Sequence, residues 1–79
     1  MSSHEVQEAL TALACADAIT RSVVVKSYLA EDWAKLARFC DWMLSVQYRY
    51  SPRVEKAAQV LATHARGEYF RKYSHDLVA

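Results

Sequence analysis

Seventy-nine residues, 53% of them apolar and with a formal net charge of +1, make one small domain without the global field that would draw nucleic acid or an anionic membrane. A single glycine excludes a glycine-rich phosphate loop, and no apolar run reaches the length of a membrane span. Thirteen alanines against seven leucines and one isoleucine thin the core, because alanine removes little area from water. A chain this short buries only about 60% of its unfolded surface, so a homodimer that shares its core is expected.

The first element opens at Ser2, which with Glu5 makes a capping box. Val6, Leu10, Leu13, Ala16, Thr20 and Val24 then keep helical spacing, predicting one helix over roughly residues 3–28. The β-branched run Val23-Val24-Val25 is too short for a sheet and reads as helix, or as a bend near Ser22–Ser27. The start Met1-Ser2-Ser3-His4-Glu5 lacks a basic leader, and Asp17 and Arg21 interrupt the apolar stretch behind it, so no signal peptide is expected. Cys15 and Cys40 both lie among apolar residues, which predicts reduced, buried thiols in a cytoplasmic protein. A bridge between them would need helix apposition that spacing does not establish.

Glu31 and Asp32 suit the positive end of a second helix, read as one rod over 31–50. Trp33, Leu36, Ala37, Cys40, Met43 and Leu44 form one apolar stripe, and Phe39, Trp42, Val46 and Tyr50 form another. Together they wrap more than half the helix and leave Glu31, Lys35, Arg38, Asp41, Ser45 and Arg49 on the remaining sector. A helix this apolar is central to a bundle or faces a partner.

Ser51-Pro52 ends that rod and opens the next helix, with Ser51 as cap and Pro52 at the first position. Val54, Ala57, Ala58, Leu61 and Ala65 share one face, and Gly67 reads as a stop. Beyond it Tyr69, Phe70, Tyr73 and Leu77 keep helical spacing, as a short fourth helix or an extension of the third. The fold class is therefore all-α: one domain over 1–79, a small bundle of three to four helices.

Chemistry-bearing motifs are missing. His4, His64 and His75 do not pair with one another, with Cys or with carboxylates at metal-ligand spacing, and His64 reads as a boundary residue, so no metal or cofactor is expected. Neither cysteine has an activating base beside it, and Glu31-Asp32 is explained by helix-start chemistry, so the chain reads as non-enzymatic.

What remains is surface. Residues 1–48 carry four Lys/Arg against six Asp/Glu, whereas 49–79 carry six against three. Trp42 borders the polar sector near Lys35, Arg38 and Arg49, and the tail repeats the mixture in Arg66, Tyr69, Phe70, Arg71, Lys72 and Tyr73. Trp, Tyr and Arg dominate protein interfaces. The expected partner-binding residues are Arg38, Trp42, Arg49, Tyr69, Phe70, Arg71 and Tyr73, serving a regulator, adaptor or inhibitor that binds another protein. The plainer explanation is that these rings pack within the bundle. The competing function is a small DNA-binding regulator reading through Lys56, Gln59, Thr63 and Arg66 on the third helix. Against it stand the near-neutral charge and the long preceding helix, unlike a helix-turn-helix. A third reading is a structural subunit stable only once assembled.

Overall fold

Helices α1 (Ser3–Ala14), α2 (Ala18–Leu29), α3 (Trp33–Ser45) and α4 (Pro52–Val78) make up nearly all of the described residues, among which there is no strand. The structure, a computed structural model, describes residues 3–46 and 51–78, with backbone alone for 75–78. Ser2, the expected partner of Glu5 in the capping box, lies outside them, as do Arg49 and Tyr50.

The expected helix over 3–28 is two helices. Asp17 adopts extended geometry (φ −162°, ψ 168°), and its carboxylate accepts from the Thr20 backbone N–H at 2.7 Å and from the Thr20 hydroxyl at 2.9 Å. This double acceptance makes Asp17 an N-cap and breaks the chain at Cys15–Asp17. The same bonds hold the Asp17 carboxyl below its ordinary value of 3.8, the Thr20 backbone bond contributing most. No bend falls at 22–27: the valine run is ordinary helix.

The α2–α3 turn also departs from expectation. Glu31 is not in a helical first turn; it sits at φ 55°, in the left-handed region that glycine usually fills. Its N–H donates to Tyr28 O at 3.1 Å, and the Asp32 N–H donates to Ser27 O at 2.9 Å, the paired bonds of a Schellman C-cap. Asp32 then caps α3 by accepting from the Lys35 N–H at 3.3 Å. The rod expected to Tyr50 stops as helix at Ser45. There the Ser45 hydroxyl and the Val46 N–H both donate to Trp42 O, and Val46 turns extended.

Ser51 and Pro52 start α4 as expected, with Ser51 Oγ accepting from the Val54 N–H at 3.3 Å. Gly67 does not stop it. The helix runs 27 residues, and Gly67 keeps a negative φ. A helical glycine costs only about 1 kcal/mol relative to alanine, too little to end a helix flanked by good formers on both sides.

Consecutive helices pack on one another and α1 closes the ring on α4, with its C-terminal end beside Ser51–Val54. Tyr28 and Trp33 touch His64, so α2 runs toward the His64 level and α3 returns. The result is an up-down-up-down bundle. Leu13, Val24, Leu36, Cys40 and Leu61 are fully enclosed within one copy. Alanines 9, 12, 37, 57, 58, 62 and 65 supply nearly half of the buried apolar positions, and their small size lets α1 and α3 lie close on α4. Among the described residues no helix is long and apolar enough to cross a membrane.

Candidate docking surfaces

The aromatic residues singled out by the sequence divide into two groups. On α3, Trp42 is 49% exposed and its ring lies against Phe39, with centroids 5.8 Å apart and planes tilted by 32°. Phe39 is half-buried and rests on the core, so it fixes the indole from below. Arg38 and Lys35 are exposed on the same helix. On the distal part of α4, Tyr69 and Tyr73 pair at 4.4 Å, and Phe70 is 72% exposed. Arg71 stands 3.5 Å from Glu68.

The two groups lie on different sides of the bundle. Asp41 reaches α4 through an ion pair with Arg66 at 2.8 Å. Trp42 leaves α3 about 100° further round than Asp41, and Phe39 about 160° further in the same sense, at 3.6 residues per turn. The Phe39–Trp42 pair is thus turned away from α4 and its tyrosines. Arg49 lies outside the described residues.

Lys56, Gln59, Thr63 and Arg66 are all exposed on α4. Two of the cations stand beside carboxylates. Arg66 is held by Asp41, and Lys56 lines a groove of about 520 Å³ between α4 and α1 whose other wall carries Glu5 and Glu8. His4 pairs with Glu8 at 3.0 Å on the same wall. These acids offset part of the positive field that phosphates would require.

The thiols differ from expectation in one respect. Cys40 is buried as anticipated, and loss of water pushes its thiol up to about 12, with the Asp41 carboxylate adding and Arg66 opposing. Cys15 is exposed, because the break at Asp17 places it in a turn rather than on a packed face. Both are free. Among the described residues no three His, Cys, Asp or Glu side chains gather as metal ligands would.

Two features escaped sequence reasoning. His64 is a member of a three-ring cluster, 6.3 Å from Tyr28 and 5.5 Å from Trp33, which are themselves edge-to-face at 5.7 Å. Its partners come from elements far away in sequence, so no local spacing marks it. Ile19 and Leu29 stand exposed at 74% and 76% because α2 turns Thr20, Val24 and Ser27 inward instead. The only local signal was that α2 mixes apolar and polar residues with weak periodicity. No protein-family model, curated protein or solved structure matches this chain.

Proposed function

We propose that the protein is a non-enzymatic regulator, adaptor or inhibitor that acts by stoichiometric binding of another protein through its exposed aromatic and basic helix faces. The observation that carries this reading is Trp42, half exposed on a supporting Phe39 with Arg38 and Lys35 beside it. An indole held in one orientation loses little freedom on docking and offers large contact area with a polar handle. The distal α4 group of Tyr69, Phe70, Arg71 and Tyr73 is a second surface of the same chemistry. Two free cysteines fit a cytoplasmic setting, where thiols stay reduced.

The test is affinity capture from the native cell with wild type and Trp42→Ala, each with a nuclease control. The expected result is one protein recovered at fixed stoichiometry by wild type. Truncation should weaken its binding by about 30-fold, the equivalent of about 2 kcal/mol. Recovery that is abolished by nuclease, weakens steeply with salt and is lost when Lys56, Gln59, Thr63 and Arg66 become alanine would replace this reading with nucleic-acid binding.

A further inference from the structure

We infer that the outer seam between α2 and α3 takes one helix of a partner protein, apolar at one end and acidic at the other. The inference rests on Trp42 being a docking anchor, and it supplies the rest of that site. Asp41 and Arg66, paired at 2.8 Å across α3 and α4, each directly follow a buried core residue, Cys40 and Ala65. Antiparallel neighbours in this bundle therefore turn flanks of the same rotational sense toward each other. The opposite flank of α3 carries Lys35, Phe39 and Trp42, which precede the buried Leu36, Cys40 and Met43, and it faces α2, the other neighbour of α3. The matching flank of α2 carries Ile19, Val23 and Lys26, which precede the buried Thr20, Val24 and Ser27. Tyr28 meets Trp33 at 5.7 Å where the two helices join. Counting back from there sets Lys26 level with Lys35, Val23 with Phe39, and Ile19 with Trp42.

The two ends of this seam differ in chemistry. At one, Ile19 is 74% and Trp42 49% exposed, with half-buried Val23 and Phe39 between them as a floor. At the other, two exposed lysines stand level on adjacent helices, and neither is in an ion pair among the described residues. Of the carboxylates in the adjoining turn, Asp32 is engaged as the α3 N-cap and Glu31 pairs with neither lysine. Asp41 is on the far flank, held by Arg66. Charge complementarity therefore calls for carboxylates at the lysine end and an apolar side chain at the Ile19–Trp42 end. Two packed helices offer a third a groove of its own shape. Seven residues separate Ile19 from Lys26 and Trp42 from Lys35, about 10.5 Å along either axis. An occupying helix matches that rise with large apolar residues at i and i+4 and Asp or Glu at i+7 or i+8. A nucleic acid would satisfy the lysines but leave Ile19 and Val23 in water.

The probe is a labelled synthetic helical peptide with leucines at i and i+4 and glutamates at i+7 and i+8, titrated with the full chain and read by fluorescence anisotropy. The same peptide with lysines in place of the glutamates is its control. The glutamate peptide should bind wild type, and the lysine peptide at least tenfold more weakly. Ile19→Ser and Trp42→Ala should each weaken binding at least tenfold, with circular dichroism reporting an unchanged helical fold. Leu29→Ser should leave binding as it was, because Leu29 is as exposed as Ile19 but points away from the seam. Lys26→Glu combined with Lys35→Glu should invert the preference, so that the lysine peptide binds. No binding at concentrations on the order of hundreds of micromolar, equal binding of the two peptides, equal losses at Ile19 and Leu29, or a preference that does not invert would each overturn the inference. Self-association of wild type that Ile19→Ser abolishes would overturn it in favour of a second copy. A native partner that is lost with Trp42→Ala but kept by Ile19→Ser and by the Lys26→Glu, Lys35→Glu double variant would remove the seam and leave Trp42 as an anchor. Loss of Trp42-dependent capture as well would remove both.

Discussion

Helices α2 and α4 belong to one bundle but are held in opposite ways. Helix α4 is fixed by its face: Ala57, Ala58, Leu61, Ala62 and Ala65 are all buried against α1 and α3. Helix α2 turns only Thr20, Val24 and Ser27 fully inward, and leaves Ile19 and Leu29 outside. Its ends are better specified than its face, by the Asp17 cap at one end and the Schellman turn through Glu31 at the other. Caps set where a helix begins and stops, whereas packed area sets how strongly it is retained.

The largest break in this contrast should come at Leu61, fully enclosed on the α4 face. Leu61→Ala is expected to lower stability by about 3 kcal/mol, read by urea titration, because alanine neighbours cannot expand into the cavity. Ser27→Ala should act the other way. The Ser27 hydroxyl is buried without a hydrogen-bond partner, so its removal is expected to raise stability by about 1 to 2 kcal/mol in the same assay. If both substitutions proved neutral, the two helices would not differ in how they are held.

Removing the cap tests the other side of the comparison. Asp17→Ala should cost about 1 kcal/mol near neutral pH. Because the folded-state pKa of Asp17 is lowered, the ionic part of its contribution is fully present above the ordinary value of 3.8 and is lost as pH falls below it through the lowered value. The difference between wild type and Asp17→Ala should therefore shrink at acidic pH, as thermal melts at pH 7 and pH 3 would show. The smallest effect is expected at Glu31. Glu31→Gly should stabilise by about 0.5 kcal/mol, since glycine accepts φ 55° without steric cost but loosens the unfolded chain. A destabilising result would mean that the Glu31 side chain matters more than its backbone.

Much of this architecture was readable along the chain. The start at Ser51-Pro52 is local chemistry, and the buried face of α4 and most of the first α3 stripe follow from spacing. Asp17 was harder to read. It stands among helix formers, and only the competition between its carboxylate and the continuing ladder decides that the chain breaks there. Gly67 misled because its local preference is worth about 1 kcal/mol, less than a long helix can absorb. At the candidate docking surfaces, residue type alone nominated Trp42, Phe70, Tyr69 and Tyr73, which the structure leaves exposed.

The amino-acid order by itself determined that this protein is helical, where its last helix begins, and which rings were too many for so thin a core. Those are consequences of propensity, capping and periodicity, each acting within a few residues. Tertiary structure alone decided that the rings divide between two faces, that Trp33 and Tyr28 close around His64, and that Gly67 stands over open space. Rotation about a helix axis relative to its neighbours is fixed by the packing of all four helices at once, and no local window contains it.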